Sequence, residues 1–309
     1  MKILYLPTRY FPAISGAEFY IQRIAEILKK KQGHGIDIIT SNAIDFKALR
    51  NPSSGRTIQE GDKYHKLVNG LKINRFPARE TYSLREAVEY LKTIKAFNAL
   101  SLDESCIREF LNNGPYLNTL LSHLLKEKLP FWDVIHATFF PYFNLVIALI
   151  IGRLVDAPTI CTPFFHFSNP RYSNEALIPV LQKFTHLIAC THIEKRILVK
   201  RCDIQEEKIS VIPMGVDINR FDQVHESKYL HYRFKDKFLK KEKKHHKMVL
   251  FCGYKNYEKG AVSILKAVPQ ILKEMSDVYF VFIGPPTYAY NRELDKLPDN
   301  FRKKVINFT

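Results

Sequence analysis

Short apolar runs alternate along this chain with longer stretches whose apolar positions recur every three or four residues. The runs Lys2–Leu6, Ile36–Thr40, Lys72–Arg75, Val134–Ala137, Thr159–Thr162, Leu187–Cys190 and Ser210–Ile212 predict strands. Ala17, Tyr20, Ile21, Ile24, Ala25 and Leu28 share one helical face, so a helix is expected to begin near Gly16. Strands separated by helical segments imply βαβ units and a parallel, doubly wound α/β sheet. The stretch Tyr82–Lys128 breaks the alternation. It reads as helical throughout, interrupted near Asn113-Gly114-Pro115, and predicts an extra helical layer or a lid. The most apolar stretch, Phe139–Ile151, is too short to span a bilayer and carries Pro141 and Asn144, so it predicts a buried helix.

A second unit is expected from Met248 onward, with a strand at Val249–Cys252, a helix at Gly260–Met275 and a strand at Val278–Ile283. The final Val305-Ile306-Asn307-Phe308-Thr309 reads as a third strand. The expected organisation is a Rossmann-like domain over 1–222 with its helical insertion at 82–128, a basic connector over 223–247, and a second Rossmann-like domain over 248–309. A βα unit takes roughly 30 residues, and a half-sheet of this kind usually has five or six strands. The second domain is therefore expected to be incomplete.

Composition changes this picture in two ways. The formal net charge of +16 suits polyanionic partners such as nucleotide phosphates or anionic lipid headgroups, and equally suits a merely solvated surface. Much of it lies between Lys228 and Lys247, where nine Lys or Arg stand against Asp236 and Glu242. A solvated connector is favoured there over a membrane-touching patch. The cysteines Cys106, Cys161, Cys190, Cys202 and Cys252 are odd in number and contain no CxxC pair, so they read as reduced residues of a cytosolic protein. No zinc spacing occurs, and the opening MKILYLP is a buried strand rather than a signal peptide.

Candidate chemistry gathers at the strand-to-helix turns. Ser15-Gly16-Ala17-Glu18 opens the first helix. Gly16 would let backbone N–H groups approach a phosphate at the helix start, while Ser15 and Glu18 have the spacing of a plain capping box. His136 and His166 are expected just past the carboxyl ends of two parallel strands, where open α/β sheets place ligands. Either, taken alone, also reads as a packed structural histidine. In the second unit, Gly253-Tyr254-Lys255-Asn256-Tyr257-Glu258-Lys259-Gly260 brackets two lysines with two glycines at a helix start, which suits a diphosphate. It is not a Walker A loop, because the lysine precedes the second glycine and no Ser or Thr follows.

Taken in order, these motifs resemble the family 4 retaining glycosyltransferases of GT-B fold. Strand-Gly-x5-Lys-Gly is similar to the loop that opens that family's second domain. Thr191-His192-Ile193-Glu194-Lys195-Arg196, and Ile212-Pro213-Met214-Gly215-Val216-Asp217 after it, resemble two further family motifs, with Met214 in place of the usual Asn. Ser-Gly-Ala-Glu resembles the usual Gly-Gly-Ala-Glu, and Asp133–Ala137 the family's Asp-Val-Val-His-Ala strand. The resemblance implies two lobes facing a cleft that holds a nucleotide-diphosphate sugar. It implies that Gly16, Gly253, Gly260 and Lys259 attend the donor phosphates and that His166 sits at the transferred sugar, with His136 on the acceptor side. Tyr254 stands where the family often has Arg, and Lys255 is the expected replacement for that charge.

The donor is expected as a substrate, with no cofactor and no metal, since Asp-x-Asp is absent from the chain. The acceptor is expected to be a glycan or a lipid-linked precursor. A cytoplasmic location is expected, and peripheral contact with an anionic inner membrane face is left open. The family's paired glutamates fall after Thr309, so weak donor binding is expected of this chain alone. A non-catalytic acceptor-binding fragment completed by a second polypeptide remains the alternative. A nucleic-acid binder is disfavoured by the lack of RNP or zinc-finger patterns, and an epimerase by the Ile-Pro-x-Gly-Val-Asp stretch.

Overall fold

The structure, a computed structural model, describes residues 1–167, 169–218 and 246–309. The chain forms two compact units, Met1–Gly215 and Val216–Thr309. The expected basic connector falls almost wholly outside the described residues.

The larger unit is built on an eight-stranded sheet. Its strands are β1 (Lys2–Pro7), β2 (Gly35–Ser41), β3 (Leu67–Val68), β4 (Leu71–Phe76), β5 (Val134–Thr138), β6 (Thr159–Thr162), β7 (His186–Ala189) and β8 (Ile209–Val211). They run in the order β3-β4-β2-β1-β5-β6-β7-β8, and every neighbouring pair is parallel except β3–β4. That exception is a hairpin turning on Asn69 and Gly70, both at positive φ. Asn-Gly is the dipeptide such a two-residue turn prefers, but the strand before it is too short for apolar periodicity to reveal.

The helices of this unit are α1 (Gly16–Gln32), α2 (Leu84–Lys92), α3 (Lys95–Asn98), α4 (Glu104–Asn113), α5 (Asn118–Lys126), α6 (Asn144–Val155), α7 (Ile178–Gln182) and α8 (His192–Cys202). Alternation along β1 divides the core. Ile3 and Tyr5 pack with Ile21 and Ala25 of α1, while Leu4 and Leu6 join a larger cluster on the opposite face. The segment 82–128 belongs to that larger cluster: Leu91, Phe110 and Leu120 are all fully buried in it. It is a covering layer of the sheet, not a lid. At about 1.5–3 kcal/mol for each fully buried large apolar side chain, this layer is integral to the fold.

The expected buried helix is α6, displaced toward the carboxyl end relative to the predicted 139–151. Phe139–Phe143 instead form a turn that contains the cis Phe140–Pro141 peptide.

The smaller unit carries a parallel sheet of β9 (Lys247–Cys252), β10 (Val278–Ile283) and β11 (Val305–Phe308), in the order β11-β10-β9. Val262, Leu265 and Val268 of the helix Ala261–Glu274 pack against Phe280 and Phe282 of β10. Tyr290, from the helix Tyr288–Asp295, completes this core. No helix among the described residues is long and apolar enough to cross a membrane.

Candidate functional site

In the larger unit the chain moves outward from β1 to β2 and β4, then returns to the other side of β1 with β5. β1 and β5 therefore flank the point where the winding reverses, and ligands of open α/β sheets bind beyond the carboxyl ends of such strands. Polar side chains tie those ends together. Asn144, the first residue of α6, donates from Nδ2 to Leu6 O and to Thr138 O, both at 2.8 Å. The Thr40 hydroxyl donates to Pro7 O at 2.9 Å and the Ser41 hydroxyl to Thr8 O at 2.6 Å. The floor of the edge is thus fixed by buried hydrogen bonds rather than by packing alone.

Arg9 follows β1 and is almost fully buried. Its Nε donates to Glu18 Oε1 at 3.0 Å, its Nη1 donates to Ile44 O at 2.9 Å, and its guanidinium lies 3.6 Å from the centre of the Phe46 ring. One cation therefore joins the loop after β1, the start of α1 and the loop after β2. The Ser15 hydroxyl donates to the other oxygen of Glu18, and no side chain caps the backbone at the start of α1. The capping box read from Ser15 and Glu18 is thus replaced by an ion pair. Gly16 is exposed, with open space where a side chain would stand.

Aromatic rings line the rest of this edge. Phe139 lies 6.1 Å from Phe164 and 6.2 Å from His166, and His166 lies 5.2 Å from Tyr172, measured between ring centres. Tyr20 of α1 meets Phe164 edge-on at 5.4 Å. Gly16 and His166 therefore belong to elements that meet at one edge. Phe139 and Phe164 adopt φ 83 and φ 48, unusual for bulky residues, and such strain clusters at ligand-binding turns.

The loop carrying His166 is held by a residue not assigned from sequence. Glu194, in the first turn of α8, accepts the backbone N–H of Phe165 and that of Cys190, each at 2.7 Å, and its own N–H donates to the Thr191 hydroxyl at 3.0 Å. Burial raises the Glu194 pKa, partly offset by the two backbone donors. Thr191-x-x-Glu194 has the spacing of a capping box, and nothing in that spacing signals the reach of Glu194 across to the loop after β6.

His136 stands elsewhere than expected. β5 continues to Thr138, so His136 lies inside the strand, not past its end. It is buried, its Nε2 lies 2.8 Å from Thr162 Oγ1, and burial pushes its pKa down to about 4. It is a neutral side chain of the sheet's interior.

In the smaller unit, the bend after β9 begins at Gly253 with φ 142 and ends at Gly260 with φ 86. Asn256 Oδ1 accepts the Lys259 N–H at 2.8 Å, and no side chain caps the helix that starts at Ala261. The Lys259 ammonium is exposed, with Glu258 4.0 Å away. Lys255 turns the other way. It is fully buried, and its ammonium donates to Phe308 O at 2.9 Å and to Asn307 Oδ1 at 3.1 Å, holding β11. The expectation of a pair of lysines at the bend is corrected to one, because the side chain of Lys255 is committed inside its own unit. Gly284, after β10, was not singled out from sequence. A Cβ there would lie 2.2 Å from Gly253 O, so the bend rests directly on a second glycine turn.

Residues 104–220 match Glycosyltransferase Family 4. No curated protein matches the sequence. Among solved structures, a glycosyltransferase from Rickettsia africae superposes with a TM-score of 0.59 at 16% identity, covering 99% of this chain and 68% of that one. HepE of Anabaena, in complex with UDP and glucose, gives 0.56 at 14% identity, covering 100% and 70%. A trehalose-6-phosphate structure from E. coli, bound with UDP-2-fluoro glucose, gives 0.63 at 14% identity, covering 100% and 73%. The class defined by the two Rossmann-like units and these likenesses is the GT-B glycosyltransferase fold. Within it, the segment 104–220 is similar to Glycosyltransferase Family 4.

Proposed function

We propose that this chain transfers a glycosyl group from a nucleoside-diphosphate sugar to an acceptor hydroxyl, with retention of anomeric configuration as the resemblance implies. The observation that carries the proposal is the Gly253–Gly260 bend. It combines two glycines at positive φ, an uncapped helix start and the exposed ammonium of Lys259. Backbone donors, the helix dipole and a compact cation are what a diphosphate needs. As the bond between the anomeric carbon and the diphosphate breaks, its electron pair passes to the diphosphate. Lys259 offsets the charge that develops there. The acceptor oxygen bonds to the anomeric carbon, and its proton passes to the departing diphosphate. His166, held through Glu194, is assigned to the transferred sugar, and the open backbone at Gly16 to the donor phosphates.

The larger unit takes the acceptor, a glycan or a lipid-linked precursor. The net charge of +16 favours an acceptor, or a membrane surface presenting it, that is itself anionic. The test is saturation-transfer NMR of the full chain with UDP-glucose, GDP-mannose and ADP-glucose, a method that detects millimolar binding. Transfer to at least one nucleotide-sugar is expected, reduced in Lys259→Ala. Silence toward all three, or an unchanged signal in that variant, defeats the proposal.

A further inference from the structure

A large cavity of the larger unit plays no part in the edge described above. Between β4 and α5 lies an open cavity of about 920 Å³, bordered by Asn42 after β2, His65 and Lys66 before β3, Lys72 and Phe76 of β4, and His123 of α5. Its wall is cationic. Lys66, Lys72 and Arg75 face a single carboxylate, Glu60, which Lys66 already pairs at 2.7 Å. Arg75 is itself buried, yet among the described residues its guanidinium donates only to backbone carbonyls, those of His65, Tyr64, Ser41 and Phe11. A buried cation held by carbonyl dipoles, with no carboxylate among the described residues to pair it, leaves positive potential facing the cavity. Burial accordingly lowers its pKa to about 10.

Two polar atoms of the wall, His65 Nδ1 and Asn42 Oδ1, are buried and have no hydrogen-bond partner among the described residues. Buried polar atoms in native proteins are nearly always paired, so both point to a partner that the chain does not supply. Asn42 Oδ1 can only accept, which calls for a donor such as a hydroxyl. Phe76 and His123 lie 5.8 Å apart between ring centres and add an apolar surface beside these polar atoms.

We infer that this cavity binds a sugar carrying an anionic group, a phosphate ester or a carboxylate, and that this sugar is one unit of an extended acceptor, away from the unit whose hydroxyl reacts. The anion meets Lys72 and the field of Arg75, the ring lies on Phe76 and His123, and a hydroxyl donates to Asn42. The acceptor role rests on the transferase proposal above; the binding does not.

The test is NMR of the full chain, following the imidazole resonances of His65 and His123, identified by their loss in His65→Gln and His123→Gln. The probes are glucuronate, glucose 6-phosphate, glucose and inorganic phosphate. Both anionic sugars are expected to shift these resonances saturably, more tightly than glucose or phosphate, and the tighter of the two identifies the anionic group. Lys72→Gln, at an exposed position, is expected to weaken binding about fivefold, and Asn42→Asp to weaken it further by repulsion. Equal shifts with glucose, equal shifts with phosphate alone, or affinities unchanged in both variants would overturn the inference. Because UDP-glucose binding is read separately, a cavity that binds anionic sugars in a chain that ignores every nucleotide-sugar would leave the site standing and remove only its acceptor role.

Discussion

The carboxylate of Glu194 accepts the backbone N–H of Phe165, one residue before His166, at 2.7 Å. Through that bond, and its companion to Cys190 N, the start of α8 fixes the loop after β6. The loop has little other regular structure to hold it, so the ring of His166 owes its position to a residue 28 positions further along the chain.

Replacing Glu194 by Ala leaves two buried N–H groups unpaired, each costing about 1–3 kcal/mol. A loss of about 2–5 kcal/mol in urea unfolding is expected, with Glu194→Gln intermediate because it keeps one acceptor oxygen. The wild type should also differ from Glu194→Gln in its pH dependence. Burial raises the folded pKa of Glu194, so between the ordinary glutamate value and the raised one the folded state binds more proton than the unfolded state. Wild-type stability should therefore fall relative to the variant as pH rises through that window. A flat difference across it would show that the carboxylate titrates alike in both states.

His136 gives the opposite slope. Its folded pKa is pushed down from 6.5 to about 4, so below pH 6.5 the unfolded state takes up a proton that the folded state refuses. Stability is complete above 6.5 and is lost as pH falls toward 4, by about 3 kcal/mol at the acid end. His136→Gln can retain a hydrogen bond to Thr162 and should flatten that acid limb. An unchanged acid limb in thermal unfolding from pH 7 to 4 would mean that His136 is not the group responsible.

Much of the fold was legible because strands such as β1 and β10 are buried on both faces and read as continuous apolar runs. Thr159–Thr162 and Val278–Ile283 coincide with their predicted bounds. Of the candidate site, local sequence made legible the backbone setting, with Gly16 at the start of α1 and glycines at both ends of the Gly253–Gly260 bend. What was not legible depends on distant partners. Nothing beside Arg9 in sequence announces Ile44 or Phe46, and nothing beside Lys255 announces Phe308, which lies 53 residues away. Apolarity alone also misplaced α6, because Phe139–Phe143 are as apolar as a helix while forming a turn.

The pairing of Arg9 with Glu18 is nearly fully buried. Removing one partner of such a pair typically costs about 3–5 kcal/mol, since the other charge is left uncompensated. Arg9→Ala is expected to lose that much and to loosen the Phe46 loop, whereas Arg9→Met combined with Glu18→Gln should recover a large part of it. If the double variant is as unstable as the sum of the two singles in a double-mutant cycle, the two charges are not coupled.

The two lysines of the Gly253–Gly260 bend should separate cleanly by experiment. Lys255 is buried and bonds to Phe308 O and Asn307, so Lys255→Ala removes hydrogen bonds that hold β11 and opens a cavity against Tyr290. A stability loss of about 2–4 kcal/mol is expected. Gly284→Ala should produce a loss of similar size by another route, because its Cβ would meet Gly253 O at 2.2 Å from a backbone at φ 128. Lys259 is exposed, and its one ion pair among the described residues is a loose one at 4.0 Å, so Lys259→Ala should leave the unfolding midpoint within about 0.5 kcal/mol of wild type. Nucleotide-sugar binding should nevertheless fall about tenfold with the loss of a charge-assisted contact. Unfolding curves and saturation-transfer NMR on the same three proteins decide the matter. Loss of stability in Lys259→Ala, or retained stability in Lys255→Ala, would show that the roles of the two side chains have been exchanged.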